Sequence, residues 1–298
     1  MLRLLDKLYS DLPRSNYINK SFRFLVRVLT NIWARLFMRI HCKNKGIDTD
    51  TIIVSLTSFP ARIDNVWLTI ACLLNQSVEN IHIVLWLSNE QFRSKTDLPQ
   101  KLLKLEDKGV EIQLVNDDLR PHKKYFYALQ RWPNNPLVTV DDDILYNPDI
   151  IKVLRDTAIK HPNCVICNRG IIINRANYNS WETKLNKSTE TNDTMPTGVG
   201  GVLYPAHVFD NTQISNIDVI KNTCLNGDDL WLNFWTRYNN HRVVYTGMKT
   251  GFITILSSQQ SALCNTNIGE SRNDIQIRAL HSWASGIHPE GFYCNIND

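Results

Sequence analysis

Three adjacent carboxylates stand in the middle of the 298-residue sequence, in the stretch TVDDDILYNP (139–148). Neighbouring carboxylates raise one another's pKa values unless a cation neutralises them, and carboxylate oxygens favour Mg²⁺ or Mn²⁺ over zinc. Because side chains alternate faces in an extended segment, Asp141 and Asp143 point the same way and Asp142 the other. The spacing predicts a divalent metal site at Asp141 and Asp143, with a solvated turn or helix cap as the alternative.

A second acidic pair, Asp228 and Asp229, opens the segment GDDLWLNFW (227–235). Carboxylates suit the first turn of a helix, and capping requires only one of them. Trp231 lies four residues before Trp235, on the same face of the predicted helix. That spacing is typical of a core, although Trp231 is also a candidate surface on which a ligand would stack.

The stretch PTGVGGVLYP (196–205) has three glycines within four positions. Glycine lets the backbone approach a ligand closely or adopt positive φ, so Gly200 and Gly201 are candidates for the lining of a ligand site. A tight connection between two strands is the alternative. The polar stretch KSTETND (187–193) is a candidate mobile lid.

Alternating strands and helices must position these groups. Apolar, β-branched runs predict four strands, at 51–59, 81–88, 110–115 and 136–140, and helical segments fall between them at about 65–75, 98–107 and 123–131. This series predicts an α/β fold with a mostly parallel sheet flanked by helices. Ligand sites in such sheets lie beyond the carboxyl ends of the strands.

Polar clusters follow the four predicted strands. They are Thr57, Ser58 and Arg62 after the first, Ser88 and Asn89 after the second, 116–118 after the third, and the three carboxylates after the fourth. No glycine-rich phosphate loop of the Walker or dinucleotide type is present in the sequence. A metal and basic side chains would therefore hold any phosphates, and Arg62, Lys123 and Lys124 are suited to that.

Composition narrows the class of protein. The net charge of +4 is too mild to indicate a nucleic-acid-binding protein. Seven cysteines, an odd number scattered along the chain, make a poor disulfide framework and favour a reducing compartment. Cys164 and Cys167 form a CxxC motif without a partner motif at zinc-site spacing, which favours plain core cysteines.

Residues 1–45 form a basic amphipathic segment ahead of a predicted catalytic domain at 46–298. Between residues 22 and 40, Arg23, Arg27, Asn31, Arg35 and Arg39 recur at every fourth position, and apolar residues fill the space between them. The arginines interrupt every apolar run, which excludes a spanning helix. Residues 18–40 would lie on an anionic membrane surface, or else the helix packs on the domain with its arginines in water. We expect a cytoplasmic protein, peripheral on the inner face of the cytoplasmic membrane.

Seven motifs occur in an order that resembles a family. TSFPARI, LLNQS, IVLWLS, KKY, VDDDI, GVGGVLYP and GDDLW look like a bacterial nucleotide-sugar glycosyltransferase of the GT-A fold, of the sort used in capsule or lipopolysaccharide assembly. The resemblance covers roughly residues 51–245. It implies a single catalytic domain in which Asp141 and Asp143 form the DXD metal site.

The resemblance also implies roles for other residues. Asp229, with Asp228, stands where many inverting GT-A enzymes carry a Glu-Asp pair that supplies the catalytic base. His281 is a candidate for the metal shell. The nucleotide-sugar contacts would come from Thr57, Ser58, Arg62, Lys123, Lys124 and Asp142. The acceptor side would be formed by Gly200, Gly201 and Trp231.

The expected activity is transfer of a hexosyl or N-acetylhexosaminyl group from a nucleotide-diphosphate donor, a UDP-sugar, with Mn²⁺ or Mg²⁺. The acceptor would be a hydroxyl of a glycan or glycolipid in surface polysaccharide synthesis, and no nucleic acid is expected as a partner. Two alternatives stay open. A nucleotidyltransferase that makes nucleotide sugars would share the metal and the sheet, and a non-catalytic membrane-surface protein would bind carbohydrate or Ca²⁺.

Overall fold

The computed structural model describes residues 1–13, 16–43, 46–174, 177–182, 190–210, 212–261 and 272–287. The helices in these ranges are α1 (Leu2–Asp11), α2 (Tyr17–Phe37), α3 (Val66–Leu74), α4 (Gln100–Leu103), α5 (Lys123–Arg131), α6 (Ile150–Ala158), α7 (Ile217–Thr223), α8 (Asp228–Tyr238) and α9 (Arg272–Ala284). The strands are β1 (Ile52–Thr57), β2 (Ile81–Ser88), β3 (Val110–Val115), β4 (Leu137–Thr139), β5 (Ile144–Leu145), β6 (Val165–Cys167), β7 (Gly170–Ile172), β8 (Glu190–Thr191), β9 (Thr194–Pro196), β10 (Val202–Tyr204), β11 (Val243–Tyr245) and β12 (Ile253–Thr254).

A mostly parallel sheet of eight strands forms the centre of the α/β fold. Its order is β3-β2-β1-β4-β10-β6-β11-β8. The strands β3, β2, β1 and β4 run parallel to one another, and β10 pairs antiparallel with both β4 and β6. The four predicted strands therefore form one half of the sheet in the arrangement expected for a βαβ series, and their carboxyl ends share one edge.

Two hydrophobic cores lie on the two faces of this sheet. In β1, Val54 and Leu56 belong to the core that contains α3 and α6. Ile53, between them, belongs to the core that contains α5, α8 and α9. The alternation of side chains along a strand thus explains why the β1 sequence is apolar at nearly every position: both of its faces are covered.

One predicted helix is wrong in extent. In place of a helix over 98–107, the chain forms only the four-residue helix α4. A 3₁₀ turn precedes it at Lys95–Asp97, and another follows it at Glu106–Lys108. Pro99 directly precedes α4, and Gly109 closes the second turn with φ of 93°. The hydrophobic spacing of Leu98, Leu102 and Leu105 supports a buried face but not a continuous helix.

Helices α1 and α2 pack on the domain with the polar face of α2 turned toward the protein. Asn31 donates to the carbonyl of Thr254 at 3.1 Å and accepts from the Leu256 N–H at 3.1 Å. Arg23 is buried, with its guanidinium 3.8 Å from the ring centre of Tyr9. Both alternatives from the sequence predicted arginines that face lipid or water, and neither predicted arginines that face the domain.

Buried thiols occupy the CxxC motif. Cys164 and Cys167 lie on or beside β6, and burial raises the pKa of the Cys164 thiol to about 11 and that of Cys167 to about 12. Such thiols are poor nucleophiles and poor metal ligands.

Within the described ranges, none of the helices combines the length and the apolar character needed to cross a membrane.

Candidate active site

The three carboxylates follow β4 and turn sharply into β5, and their side chains diverge. Asp142 is buried and accepts from the Ser58 hydroxyl at 2.6 Å and from Arg62 Nη1 at 2.5 Å. Arg62 Nη2 also lies 3.3 Å from an Asp143 carboxylate oxygen. The turn is held from the other side by the Thr69 hydroxyl, which lies 2.9 Å from the carbonyl oxygen of Asp142. The middle carboxylate is therefore a structural anchor for the other two.

Lys124 joins the first carboxylate to the later acidic pair. Its ammonium lies 2.9 Å from Asp141 Oδ1 and 2.8 Å from Asp228 Oδ2, and it is almost fully buried. Burial lowers the pKa of Lys124, but the charges of Asp141, Asp228 and Asp229 outweigh that effect and hold it well above its usual value. Lys124 is thus a permanent cation at the centre of the cleft.

The second acidic pair faces the cleft from the first turn of α8. Neither carboxylate makes a capping hydrogen bond to the helix, whose N-cap is Gly227. Asp229 instead accepts from the Gly198 N–H at 3.1 and 3.3 Å through its two oxygens. The glycine-rich turn therefore positions Asp229, and the helix start places both carboxylates where the helix dipole favours negative charge.

Gly198 is where the three parts of the site meet. A Cβ on this residue would lie 2.9 Å from Asp141 Oδ1, 3.0 Å from Lys124 Nζ and 3.5 Å from Asp229 Oδ1. The Tyr146 hydroxyl oxygen accepts from the Asp141 N–H at 2.9 Å and lies 3.5 Å from the carbonyl oxygen of Gly198. Only a glycine lets the backbone lie this close to the charged cluster.

We expect Gly198→Ala to disturb the site more than the fold. The added methyl group must displace the side chains of Asp141 and Lys124, so donor binding should weaken by about tenfold or more, the cost of a lost charged hydrogen bond. Gly201→Ala is the matched control. Gly201 has φ of 79° and ψ of 134°, a conformation outside the left-handed helical region, and the nearest neighbour of an added Cβ would lie 3.4 Å away. This change should therefore cost about 1–3 kcal/mol of stability through backbone strain and leave binding nearly intact. Calorimetric donor titration and thermal melts of both variants check this, and equal effects on binding would contradict it.

The two acidic clusters contain more carboxylates than the basic side chains paired with them. In the part of the chain that the structure describes, Arg62 pairs with Asp142 and Asp143, and Lys124 pairs with Asp141 and Asp228. Burial, together with the charges of Asp141 and Asp142, raises the pKa of Asp143 to about 7 despite Arg62. Burial and the charge of Asp228 raise the pKa of Asp229 well above its usual value. A divalent cation would relieve this excess of negative charge.

The carboxylates fit such a cation as a small set of oxygen ligands. The Asp141 side chain remains a third exposed, and both Asp141 and Asp143 line the cleft. Among the described residues, no group of three or more His, Cys, Asp or Glu side chains has metal-binding geometry. His281 lies on α9 and is not among the residues lining the cleft. Two protein carboxylates with water and substrate oxygens completing the shell are typical of Mg²⁺ sites.

One cleft of about 1160 Å³ contains ten of the predicted site residues. Its volume suits a ligand larger than a single sugar. The groups at the end of β1, the two lysines at the start of α5 and both acidic clusters line this cleft. The ten are Thr57, Ser58, Arg62, Lys123, Lys124, Asp141, Asp142, Asp143, Asp228 and Asp229.

The basic residues predicted to meet phosphates are already paired inside the protein. Arg62 binds two of the carboxylates that follow β4, and Lys123 pairs with Asp118. The Thr57 hydroxyl donates to the carbonyl of Trp86 at 2.8 Å. These contacts orient the cleft walls, which sequence spacing alone did not show.

The acceptor-side prediction is wrong for Trp231, which is fully buried in the core and donates its indole N–H to the Ile214 carbonyl at 2.9 Å. Gly200 and Gly201 also lie outside the cleft lining. A Cβ on Gly200 would lie 2.7 Å from the backbone nitrogen of Arg169, so this glycine serves strand packing. In the proposed lid, residues 187–189 lie outside the described residues, and Glu190–Thr191 form the edge strand β8.

Several cleft residues had no role in the sequence interpretation. Arg169 donates to the Thr197 hydroxyl at 2.9 Å, and Tyr178 lies near enough to Asp229 for that charge, after burial, to help raise its pKa to about 12. No local pattern marks either residue. Arg23 and Arg27 of α2 also line the cleft; their four-residue spacing was visible, but not their direction.

Comparisons with known proteins do not show a family for this chain. No protein-family model matches the sequence, and no curated protein matches it. Among solved structures, S. aureus TarS 1–349 in complex with UDP-GlcNAc is similar over 67% of this chain and 57% of that one, with 14% identity and a TM-score of 0.48. A UDP-glucose pyrophosphorylase is similar over 71% of this chain and 97% of that one, with 10% identity and a TM-score of 0.41. The chain thus spans little more than half of the TarS structure, and function must be inferred from the residues of the cleft.

Proposed function

We propose that this protein transfers a sugar from a nucleoside-diphosphate sugar, a UDP-sugar, to a hydroxyl of a glycan or glycolipid acceptor. The observation that supports this most is the arrangement around Gly198. There, Asp141 Oδ1 lies 2.9 Å from the position that a Cβ of Gly198 would take, and Asp229 accepts from the Gly198 N–H at 3.1 Å. A carboxylate that binds a cation and a second carboxylate that accepts a proton, held close together in one cleft, are the groups that a metal-dependent, base-assisted glycosyl transfer to a hydroxyl uses.

Asp229 is the proposed general base. Its pKa, raised by burial and by Asp228, brings its proton affinity closer to neutral pH, where a general base works best. The Gly198 N–H fixes the carboxylate's orientation. Asp228 is instead held by the Lys124 ammonium, which lies 2.8 Å from its Oδ2.

Asp141 and Asp143 would hold Mg²⁺ or Mn²⁺. When bound, such an ion neutralises charge on a departing diphosphate. Lys124 holds Asp141 in place from inside the cleft, and Arg62 does the same for Asp143 through its second nitrogen. Asp142 keeps the turn closed through Ser58 and Arg62.

A nucleotidyltransferase would use the cation but has no evident need for Asp229. It usually opens with a glycine-rich basic loop after the first strand, and the segment after β1 here reads TSFPARI, with its arginine engaged by Asp142. A carbohydrate- or Ca²⁺-binding protein without catalysis would need neither the raised pKa of Asp229 nor a cleft of this size.

A donor screen tests the proposal. The protein is incubated with Mn²⁺ and each common nucleotide sugar, and slow hydrolysis of the donor is measured by release of the nucleoside diphosphate. We expect hydrolysis of one or a few donors, abolished by EDTA and restored by Mn²⁺. Release of pyrophosphate from a nucleoside triphosphate and a sugar phosphate would instead identify a nucleotidyltransferase, and metal-independent or absent nucleotide binding by calorimetry would indicate a non-catalytic protein.

A further inference from the structure

Helix α2 differs from an ordinary surface helix because its apolar face is turned away from the protein. Its inward face combines buried Val26 and Ala34 with polar groups. Of the polar groups, Arg27, Asn31 and Arg35 are hydrogen-bonded to residues 254–257 and Asn65 of the domain. Its outward face is apolar. The outer stripe of α2 consists of Ile18, Phe22, Leu25, Leu29, Ile32 and Leu36, each at least 47% exposed.

The outer stripe has a regular spacing. Its members alternate steps of four and three residues, so they form one continuous line along the helix. Helix α1 adds the exposed side chains of Leu4 and Leu8. Of sixteen large hydrophobic side chains exposed among the described residues, twelve lie within the first 37 residues. Scattered exposed apolar residues need no explanation, but a concentration of this kind marks an interaction surface.

Charge distinguishes between two partners that could bind such a surface, a second copy of the chain and an anionic lipid bilayer. Up to Lys43 the chain has nine basic and two acidic residues, a charge of +7, whereas the chain as a whole carries +4. A second copy of this face would bring two clusters of positive charge together, which is unfavourable. An anionic lipid surface would attract the same charge while it takes up the apolar stripe.

We propose that the outer stripe of α2, with Leu4 and Leu8 of α1, inserts into the surface of an anionic lipid bilayer. Lys7, Lys20 and Arg39 are exposed on the same two helices or directly after them and would meet the headgroups. Phe24 is exposed and also lines the cleft described above, so docking holds the mouth of the cleft at the lipid surface. The driving force is burial of apolar area rather than the arginine stripe, which faces the domain.

Vesicle flotation of the full chain tests this inference without a donor or an acceptor, so it is independent of the proposed function. The vesicles contain equal parts phosphatidylglycerol and phosphatidylcholine. The variant combines Leu25→Gln, Leu29→Gln and Ile32→Gln, which removes apolar area and leaves every charge in place. Ile159→Gln is the matched control, because Ile159 is 72% exposed but lies directly after α6.

We expect the wild-type chain to float with the vesicles and the triple variant to lose vesicle partitioning by roughly 30-fold or more, since each buried leucine or isoleucine side chain contributes strongly to transfer from water. The control should float like the wild type, and thermal melts should show all three proteins folded. Equal flotation of wild type and triple variant, or none for either, would overturn the inference. A dimer seen by sedimentation velocity that the triple variant dissociates, without vesicle binding, would also overturn it in favour of a second copy.

Discussion

Asp229→Asn should lower the rate of sugar transfer by roughly 100- to 10,000-fold, the usual contribution of acid–base assistance. Asparagine keeps the size of the side chain and can still accept from the Gly198 N–H, which now lies 3.1 Å from Asp229 Oδ1. It cannot take a proton from the acceptor. Donor and cation affinity should change little, because the groups after β1 and β4 supply those contacts. Transfer kinetics and donor calorimetry on the same variant separate the two effects.

The pH dependence of transfer gives a second readout of Asp229. A base must be ionised to act, and the pKa of Asp229 in the free protein lies well above its usual value because of burial and the charge of Asp228. We therefore expect kcat/KM to fall as the pH drops through a pKa higher than that of an ordinary carboxyl group. The residual activity of Asp229→Asn should lack this acid limb.

Asp228→Asn is the matched control. It removes a neighbouring negative charge, so the pKa of Asp229 should fall and the acid limb should move to lower pH. Lys124 keeps Asp141 as a partner 2.9 Å away, so transfer at neutral pH should fall much less than in Asp229→Asn. If Asp228→Asn were inactive and Asp229→Asn nearly as fast as the wild type, the two roles would be exchanged. Full activity of both variants would mean that the pair is structural and that the base lies elsewhere.

Asp143→Asn should mainly lower donor hydrolysis, whereas Asp142→Asn should mainly lower stability. Asp143→Asn removes a proposed cation ligand, so metal-dependent donor hydrolysis should fall on the order of 100-fold or more, since a catalytic metal supplies several kcal/mol. Asp142→Asn removes one partner of a buried ion pair with Arg62, whose nitrogen lies 2.5 Å away. Its free energy of unfolding should fall by about 3 kcal/mol, the typical cost of breaking such a pair, while the folded fraction keeps its requirement for Mn²⁺.

Donor hydrolysis against Mn²⁺ concentration, together with denaturant unfolding, measures both quantities. Asp141→Asn is expected to resemble Asp143→Asn in its loss of hydrolysis. Mild, equal losses in all three variants, with hydrolysis that survives EDTA, would contradict a metal site at this turn.

Local patterns were enough to predict the half of the sheet that carries the site. The strands β1, β2, β3 and β4 are runs of apolar, β-branched residues bounded by polar ones, and such runs form strands buried on both faces wherever they occur in an α/β chain. The alternation predicted for Asp141, Asp142 and Asp143 is not what the structure shows, because Asp142 and Asp143 both contact Arg62 and Asp141 contacts Lys124. The structure confirms the α/β class and the mostly parallel sheet.

Tertiary packing decided how the separate motifs meet. Asp141 and Asp229 are 88 positions apart in the sequence, and only the folded chain brings both to Gly198. Nothing within the helix sequence of α8 distinguishes Trp231 in a core from Trp231 at a cleft, because the face that is covered depends on elements far away in the chain. Arg62 is likewise predicted to meet phosphates because it is a basic residue after β1, and only the folded chain shows its ion pair with Asp142.

The direction of α2 is the clearest case. Its sequence determines two stripes, one basic and polar and one apolar, because the 3.6-residue period sorts the side chains onto opposite sides of any helix formed there. Which stripe faces the protein depends on what the domain offers, and around Thr254 it offers backbone and hydroxyl groups that Arg27 and Asn31 can bind. Hydrogen bonding at this distant surface turns the polar stripe inward and leaves the apolar stripe outside.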